Sequence, residues 1–359
     1  MDNTQKAPKV MKESKNKIRV EFEGRTPLLQ RLKSKFLSVY FLTNVVWYLF
    51  RLLLLVGVSY VILFPFFSKI AGSFMSPSDL VDPTVSIIPK TPTFEIYKAI
   101  FVENNYLSAF FNTTLLSLSS AILQTFVCTL VGYGLAKFRF KGNGLIMILV
   151  VLTMVVPHET IKLSMMMHFR YFDIGGIQGL GIPGLISYIT GVFQGALSAG
   201  TTLNLMNTYV PLLMLSALGL GFKNGLYIFM MRQFYTGVPD ELEESAYVDG
   251  SNTFRTFFQI ILPLSVPMMI TIFLFSFCWQ WTDDFYTTLF FTNGKTLLMP
   301  DIVQTPASLE AAADYAAQKL YYTVIDNTCG IMIILPLVVL YLFCQKSLVQ
   351  GIERSGLVG

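Results

Sequence analysis

Charge is what this chain has least of. Only 13% of its 359 residues are Asp, Glu, Lys or Arg, against 53% hydrophobic residues that include 31 Phe. Soluble domains carry about 25% charged residues, so this balance excludes an ordinary water-soluble globule and implies a polytopic membrane protein. Histidine is nearly missing, with only His158 and His168. His158-Glu159-Thr160-Ile161-Lys162 opens like a zinc-binding H-E-x-x-H, but Lys162 stands where the second ligand belongs, so no metal is expected. Cys128, Cys278, Cys329 and Cys344 fall in or beside apolar runs, at no metal or disulfide spacing, and read as small buried hydrophobes. No G-x-x-x-x-G-K-[ST] occurs, which removes the usual phosphate cradle for ATP from this chain. Without a supported nucleophile–base arrangement either, neither enzymatic activity nor a cofactor of its own is expected. A net charge of +4 is weak ground for a nucleic-acid partner and fits basic residues on the inner side of a bilayer better.

What the chain has is apolar runs long enough to span. They lie at Val46–Phe67, Ala109–Ala136, Leu145–Met165, Tyr209–Met231, Ile260–Trp281 and Thr328–Phe343, giving an all-α fold with six transmembrane helices. The tail before the first run is too long for a cleavable leader, so that run is expected to stay as a span. Residues 1–45 form a basic tail (Lys6, Lys9, Lys12, Lys15, Lys17, Arg19) followed by an amphipathic stretch from Leu28, suited to an anionic leaflet. Residues 46–359 form the six-helix domain. Basic residues crowd the tail and the short segments holding Lys137, Arg139, Lys141, Arg232 and Arg255, which places both termini in the cytoplasm of a cell-membrane protein.

Against this apolar ground, Pro239–Pro267 is an island of charge and small residues. Asp240 with Glu243 three residues on forms a capping-box pattern, which predicts a helix to about Val248 that ends at Gly250. Ser251 or Asn252 can cap a second helix that carries Arg255 into the fifth run. Two short helices with a glycine corner at a membrane surface make a docking knob for another protein.

Glu244-Ser245-Ala246, three residues, Gly250, nine residues, then Ile260-Ile261-Leu262-Pro263 resembles the EAA loop of ABC-importer permeases, with Ser245 for an alanine. Asp249-Gly250, Pro263-Leu264 and Pro267 resemble the maltose-type, carbohydrate-importing branch. Gly132–Phe140, Thr153–Pro157, Leu205–Tyr209, Phe229–Phe234, Trp281-Thr282-Asp283 and the tail Gly351–Gly359 are similar to further family motifs, so the resemblance covers about residues 45–359. It implies the permease subunit of a bacterial importer for a carbohydrate or oligosaccharide. Its partners would be a second permease, an extracytoplasmic sugar-binding protein and two ATPase subunits that carry ATP and Mg. The cytoplasmic coupling loop would be 239–258, with Glu243, Glu244, Ser245, Ala246, Asp249 and Gly250 meeting the ATPase.

One stretch departs from the family pattern. About 172–203 is an external insertion, and its Gly179-Leu180-Gly181-Ile182-Pro183-Gly184 lacks the flanking strand and acid of a dinucleotide site. Polar groups in or beside the spans suggest a hydrophilic route: Asn112, Gln124, His158, Glu159, Asn207, Lys223, Gln280 and Asp283. Trp279, Trp281 and Tyr286 could stack on sugar faces, or the tryptophans could form an interfacial belt. The alternative function is a stand-alone secondary transporter or channel, for which only Glu159 and Lys223 offer intramembrane charge and no repeats are visible. The charge distribution places Lys141 and Arg255 inside and Lys90 and Lys295 outside. Single cysteines at these sites should react with an impermeant reagent on intact cells only at 90 and 295, and labelling at 255 from outside would refute the topology.

Overall fold

The computed structural model of the chain describes residues 10–11, 19–20, 39–172, 204–310 and 318–356. Most of the basic tail, its amphipathic stretch and residues 173–203 of the insertion lie outside the described residues. The chain divides after Ser68 into two units. In the first, Val10–Met11 (β1) and Arg19–Val20 (β2) pair antiparallel, Val10 opposite Val20, a small departure from the all-helical expectation. Helix α1 then runs Val39–Gly72, longer than the Val46–Phe67 run at both ends.

In the second unit, α2 (Pro77–Val81) and α3 (Glu95–Glu103) precede α4 (Tyr106–Lys137). Next come α5 (Asn143–Val155), α6 (His158–Arg170), α7 (Val210–Ala217), α8 (Asn224–Thr236), α9 (Glu241–Val248) and α10 (Thr253–Thr256). A π-helical turn at Phe257–Ile261 feeds α11 (Leu262–Trp281), followed by α12 (Phe285–Phe290), α13 (Ala307–Glu310) and α14 (Gln318–Gly356).

α4 is the helix around which this unit packs, chiefly against α8 and α11 and also against α7. The reason is legible in its residues. Thr113, Leu116, Ser117, Ser120, Gln124, Cys128 and Gly132 recur at helical spacing, and all are buried. Most are small, and in lipid small residues let helix backbones approach closely. At Gly132 the approach is so close that a Cβ would lie 2.5 Å from Met231 Cβ.

Six spans were expected, and the structure delivers them unequally. Four helices among the described residues are long and apolar enough to cross: Thr43–Gly72, Tyr106–Lys137, Thr253–Trp281 and Gln318–Lys346. The third run is bent by 99° between α5 and α6. Pro157 at that corner has no N–H to continue the hydrogen-bond ladder and disfavours helical backbone in the residue before it. The expected fourth span, Tyr209–Met231, is not one helix. It divides into the 8-residue α7 and the 13-residue α8, because Gly219 (φ 73°) and Lys223 (φ 66°) adopt left-handed backbone between them.

The two ends of the unit are distinct. At one end the last turns of α4 meet residues 237–257, where Lys137 Nζ donates to Val238 O at 2.6 Å and Tyr133 packs on Phe257. Residues 74–105, 204–209 and 282–310 gather at the other, where Asn104 Nδ2 donates to Ile302 O at 2.9 Å and Asn112 Nδ2 to Leu297 O at 3.0 Å. Gly225 lets α8 lie against α5, since a Cβ there would meet Thr153 Oγ1 and, at 2.9 Å, Val150 O. Gly225→Ala should therefore lower the thermal midpoint in detergent, at a cost of about 1–3 kcal/mol typical of overpacking. Gly330→Ala, with nothing among the described residues within 4 Å of the added methyl, should instead leave the midpoint unchanged or raise it. Equal effects would refute the close approach.

Candidate functional site

The charged island after Pro239 folds as two short helices around a glycine corner. α9 ends in a Schellman turn: Ser251 N–H donates to Ala246 O at 2.9 Å and Gly250 N–H to Tyr247 O at 3.0 Å. Gly250 sits at φ 82°, where a side chain would be strained. Asn252 Oδ1 accepts from Arg255 N–H at 2.8 Å and starts α10.

The capping box at Asp240 and Glu243 does not form. Asp240 has helical backbone and no capping bond, because its carboxylate turns to Lys137 at the end of α4. Lys137 Nζ also donates to Val238 O at 2.6 Å, with only 5% of its side chain exposed. That ammonium beside it holds Asp240 below the usual carboxylate range. Glu243 faces inward and is buried, and burial pushes its carboxyl up. Among the described residues its Oε1 makes no hydrogen bond of good geometry, though Lys137 and the Tyr133 hydroxyl both act to stabilise the charge. Tyr133 in turn packs between Tyr235, at 5.5 Å between ring centroids, and Phe257, at 4.7 Å. Two contacts from α4, one ionic and one aromatic, thus fix the island to the bundle.

Its outer surface is open. Glu244, Ser245, Asp249 and Gly250 are exposed, whereas Ala246 is buried beside Glu243 on the inner face. Val248 is 88% exposed and Phe254 78%, and sequence reasoning passed over both. Their signal was available: large apolar residues within a polar island have little reason to be there unless a partner covers them.

All the expected pathway residues but Glu159 and Gln280 fall into two sets. Asn112, Asn207, Trp281 and Asp283 hold structure. Asn207, at φ 61°, accepts on Oδ1 from Thr292 N–H at 2.7 Å and Asn293 N–H at 3.0 Å. Trp281 is 1% exposed, and its indole donates to Ile333 O at 3.0 Å. Asp283 accepts from the N–H groups of Tyr286 and Thr287, at 3.3 and 3.1 Å, at the start of α12, and burial pushes it up to about 6. Glu159 is exposed on α6, and Gln280 is half-buried with its Nε2 unpartnered among the described residues.

The second set surrounds the breaks. A cleft of about 630 Å³ opens between the α5–α6 elbow and the α7–α8 break, lined by Thr153, His158, Gly221, Lys223 and apolar side chains. His158 Nδ1 shares a hydrogen bond with the Tyr286 hydroxyl at 2.9 Å. Trp279, half exposed, lies 5.4 Å from the Phe222 ring and 5.0 Å from Lys223 Nζ. Beneath the break, Gln124 Nε2 donates to Ser216 Oγ at 3.1 Å and its Oε1 accepts from Ser276 at 2.7 Å. That single amide joins α4, α7 and α11.

Residues 128–354 match the family described as binding-protein-dependent transport system inner membrane component. The galactooligosaccharides transport system permease protein GanQ of Bacillus subtilis (strain 168) is 26% identical over 314 residues, 87% of this chain and 95% of that protein. The arabinooligosaccharides transport system permease protein AraQ of the same organism is 26% identical over 305 residues, covering 83% and 91%. In three dimensions the chain is similar to one in a crystal structure of a bacterial ABC transporter involved in the import of the acidic polysaccharide alginate. The TM-score is 0.59 at 18% identity, covering 85% of this chain and 97% of that one.

If Lys137 is what holds α9 in place, Lys137→Met should speed amide exchange across Glu241–Val248 while leaving the bundle's thermal midpoint nearly unchanged. Unaltered exchange would show that the aromatic contacts suffice.

Proposed function

This chain belongs to the family of inner membrane components of binding-protein-dependent transport systems, and from that premise we propose a carbohydrate substrate and a specific mode of coupling. The chain is a permease subunit, and transport rather than catalysis is its work. The observation that carries the coupling is the island at Glu241–Arg255, fixed to α4 through Lys137 and Tyr133, with Glu244, Val248, Gly250 and Phe254 left open.

An ATPase subunit grips that surface from the cytoplasm. Glu244 pairs with an ATPase arginine, Ser245 and Gly250 permit close approach, and Val248 and Phe254 fill an apolar pocket. ATP and Mg bind on a pair of such subunits. Their closure moves α9, and through α4 it moves the bundle, biasing this permease and a second one between outward- and inward-facing states. The shift can be no larger than the difference in partner affinity for the two states. Both termini lie in the cytoplasm of a bacterial cell, and an extracytoplasmic binding protein delivers the cargo to the opposite end. A carbohydrate or oligosaccharide cargo is supported by the names of the two relatives and by the Phe222 and Trp279 rings beside Lys223, which lines the cleft. A stand-alone carrier is disfavoured, since it would have no use for an open docking surface.

Breaking a buried interfacial charge pair costs about 2–5 kcal/mol. Glu244→Ala should therefore reduce ATPase co-purification and uptake, and Gly250→Phe should reduce them further. Capture of substrate by the binding protein should survive both. Wild-type assembly and substrate-stimulated hydrolysis in both variants would refute the role of the island.

A further inference from the structure

Lys223 stands out as an intramembrane cation whose partners are aromatic. α8 runs 13 residues from Lys223 to the docking end, and at 1.5 Å per residue this places Lys223 about 20 Å inward. A cation at that depth is costly and is normally matched by an acid or an aqueous cavity. Among the described residues the Lys223 ammonium has no ion pair and no hydrogen bond. What it has is aromatic: its Nζ lies 4.8 Å from the Phe222 ring centroid and 5.0 Å from that of Trp279. Two ring faces offset part of the desolvation but accept none of the ammonium's three N–H bonds in full. Lys223 lines the 630 Å³ cleft, as do Gly225 and Leu226 in the first turn of α8. Their amides add the positive end of a helix of 13 residues to the same wall. The neighbouring acid, Asp283, is engaged by the amides of α12, and Glu159 is exposed on α6.

The cleft is lined mainly by apolar side chains, with one cation and a helix N-terminus in its wall, an exposed indole beside that cation and no acid among the described residues that line it, and this suits an anion that also carries apolar faces. We propose that this cleft takes the carboxylate of an acidic sugar, with Lys223 as its counter-charge and Trp279 stacking on the ring. The assignment deepens the carbohydrate reading and rests on it. One ammonium and one helix terminus balance a single negative charge, which favours a uronate over a doubly charged phosphate ester.

The test is equilibrium binding to the transporter purified with its co-expressed partner subunits in lipid nanodiscs, using trigalacturonate and neutral galactotriose as probes. Wild type should bind trigalacturonate about tenfold or more tighter, the difference expected for one charge-assisted contact. Lys223→Asn removes the charge and suits the left-handed backbone; it should abolish the preference by weakening trigalacturonate binding about tenfold or more and galactotriose binding far less. Lys223→Arg should retain the preference. Binding of galactotriose alone by wild type, or an undiminished preference in Lys223→Asn, would overturn the acidic-sugar assignment and leave the carbohydrate reading standing. Binding of neither saccharide, with hydrolysis unresponsive to both, would overturn the carbohydrate reading itself.

Discussion

A chain folded within a bilayer has no water to satisfy the polar atoms it buries, and this constraint governs where the helices of this protein break. A carboxamide such as that of Gln124 would be costly alone in lipid. It is accommodated because Ser216 accepts from it and Ser276 donates to it, which draws α7 and α11 onto α4. Gly221 makes the arrangement possible: a Cβ there would stand 2.9 Å from Gln124 Nε2. The interrupted fourth run is thus tied to the polar hub beneath it, with Asn224 Nδ2 reaching Ser216 O at 3.4 Å across the break. Non-helical backbone at membrane depth is tolerated where it lines a cavity, and here it lines the cleft.

The same helix that carries this hub ends at the island of α9 and α10. Tyr133 and Lys137 lie about two and a half and three and a half turns beyond Gln124 along α4, and both touch the island. The path from the exposed face of α9 to the cleft therefore passes through one continuous helix and a few packed side chains. A rigid element of that kind carries displacement without needing a flexible relay. Its close fit to α8 at Gly132 leaves little room for the two helices to slide independently.

Much of this was legible in the chain. The limits of α9, the left-handed Gly250 and the Asn252 cap follow from local chemistry, and local chemistry is what a sequence displays directly. The Asp240–Glu243 box failed because a lysine 103 positions earlier competes for the carboxylate, a contact no local pattern contains. Hydropathy saw Tyr209–Met231 as one span because Gly, Leu and Phe score as apolar whether or not the backbone is helical. The interruption lies in Gly219 and Lys223, whose positive φ is conformational. Trp279 and Trp281, two residues apart, illustrate the remaining gap. A helix turns them about 200° from each other, so one stands half exposed beside Phe222 and Lys223 while the other is sealed against α14. Which of the two would be which depended on packing, not on composition.

The central claim is that ATP's work enters this permease through the outer face of the island at Glu241–Arg255. A cryo-electron microscopy structure of the complex purified through this chain, solved with and without a non-hydrolysable ATP analogue, tests it most directly. The account predicts an ATPase cleft closed over that face, a basic side chain opposite Glu244, and α9 displaced together with α4 between the two states. An ATPase bound elsewhere on the chain, or an island left open to solvent in both states, would contradict it.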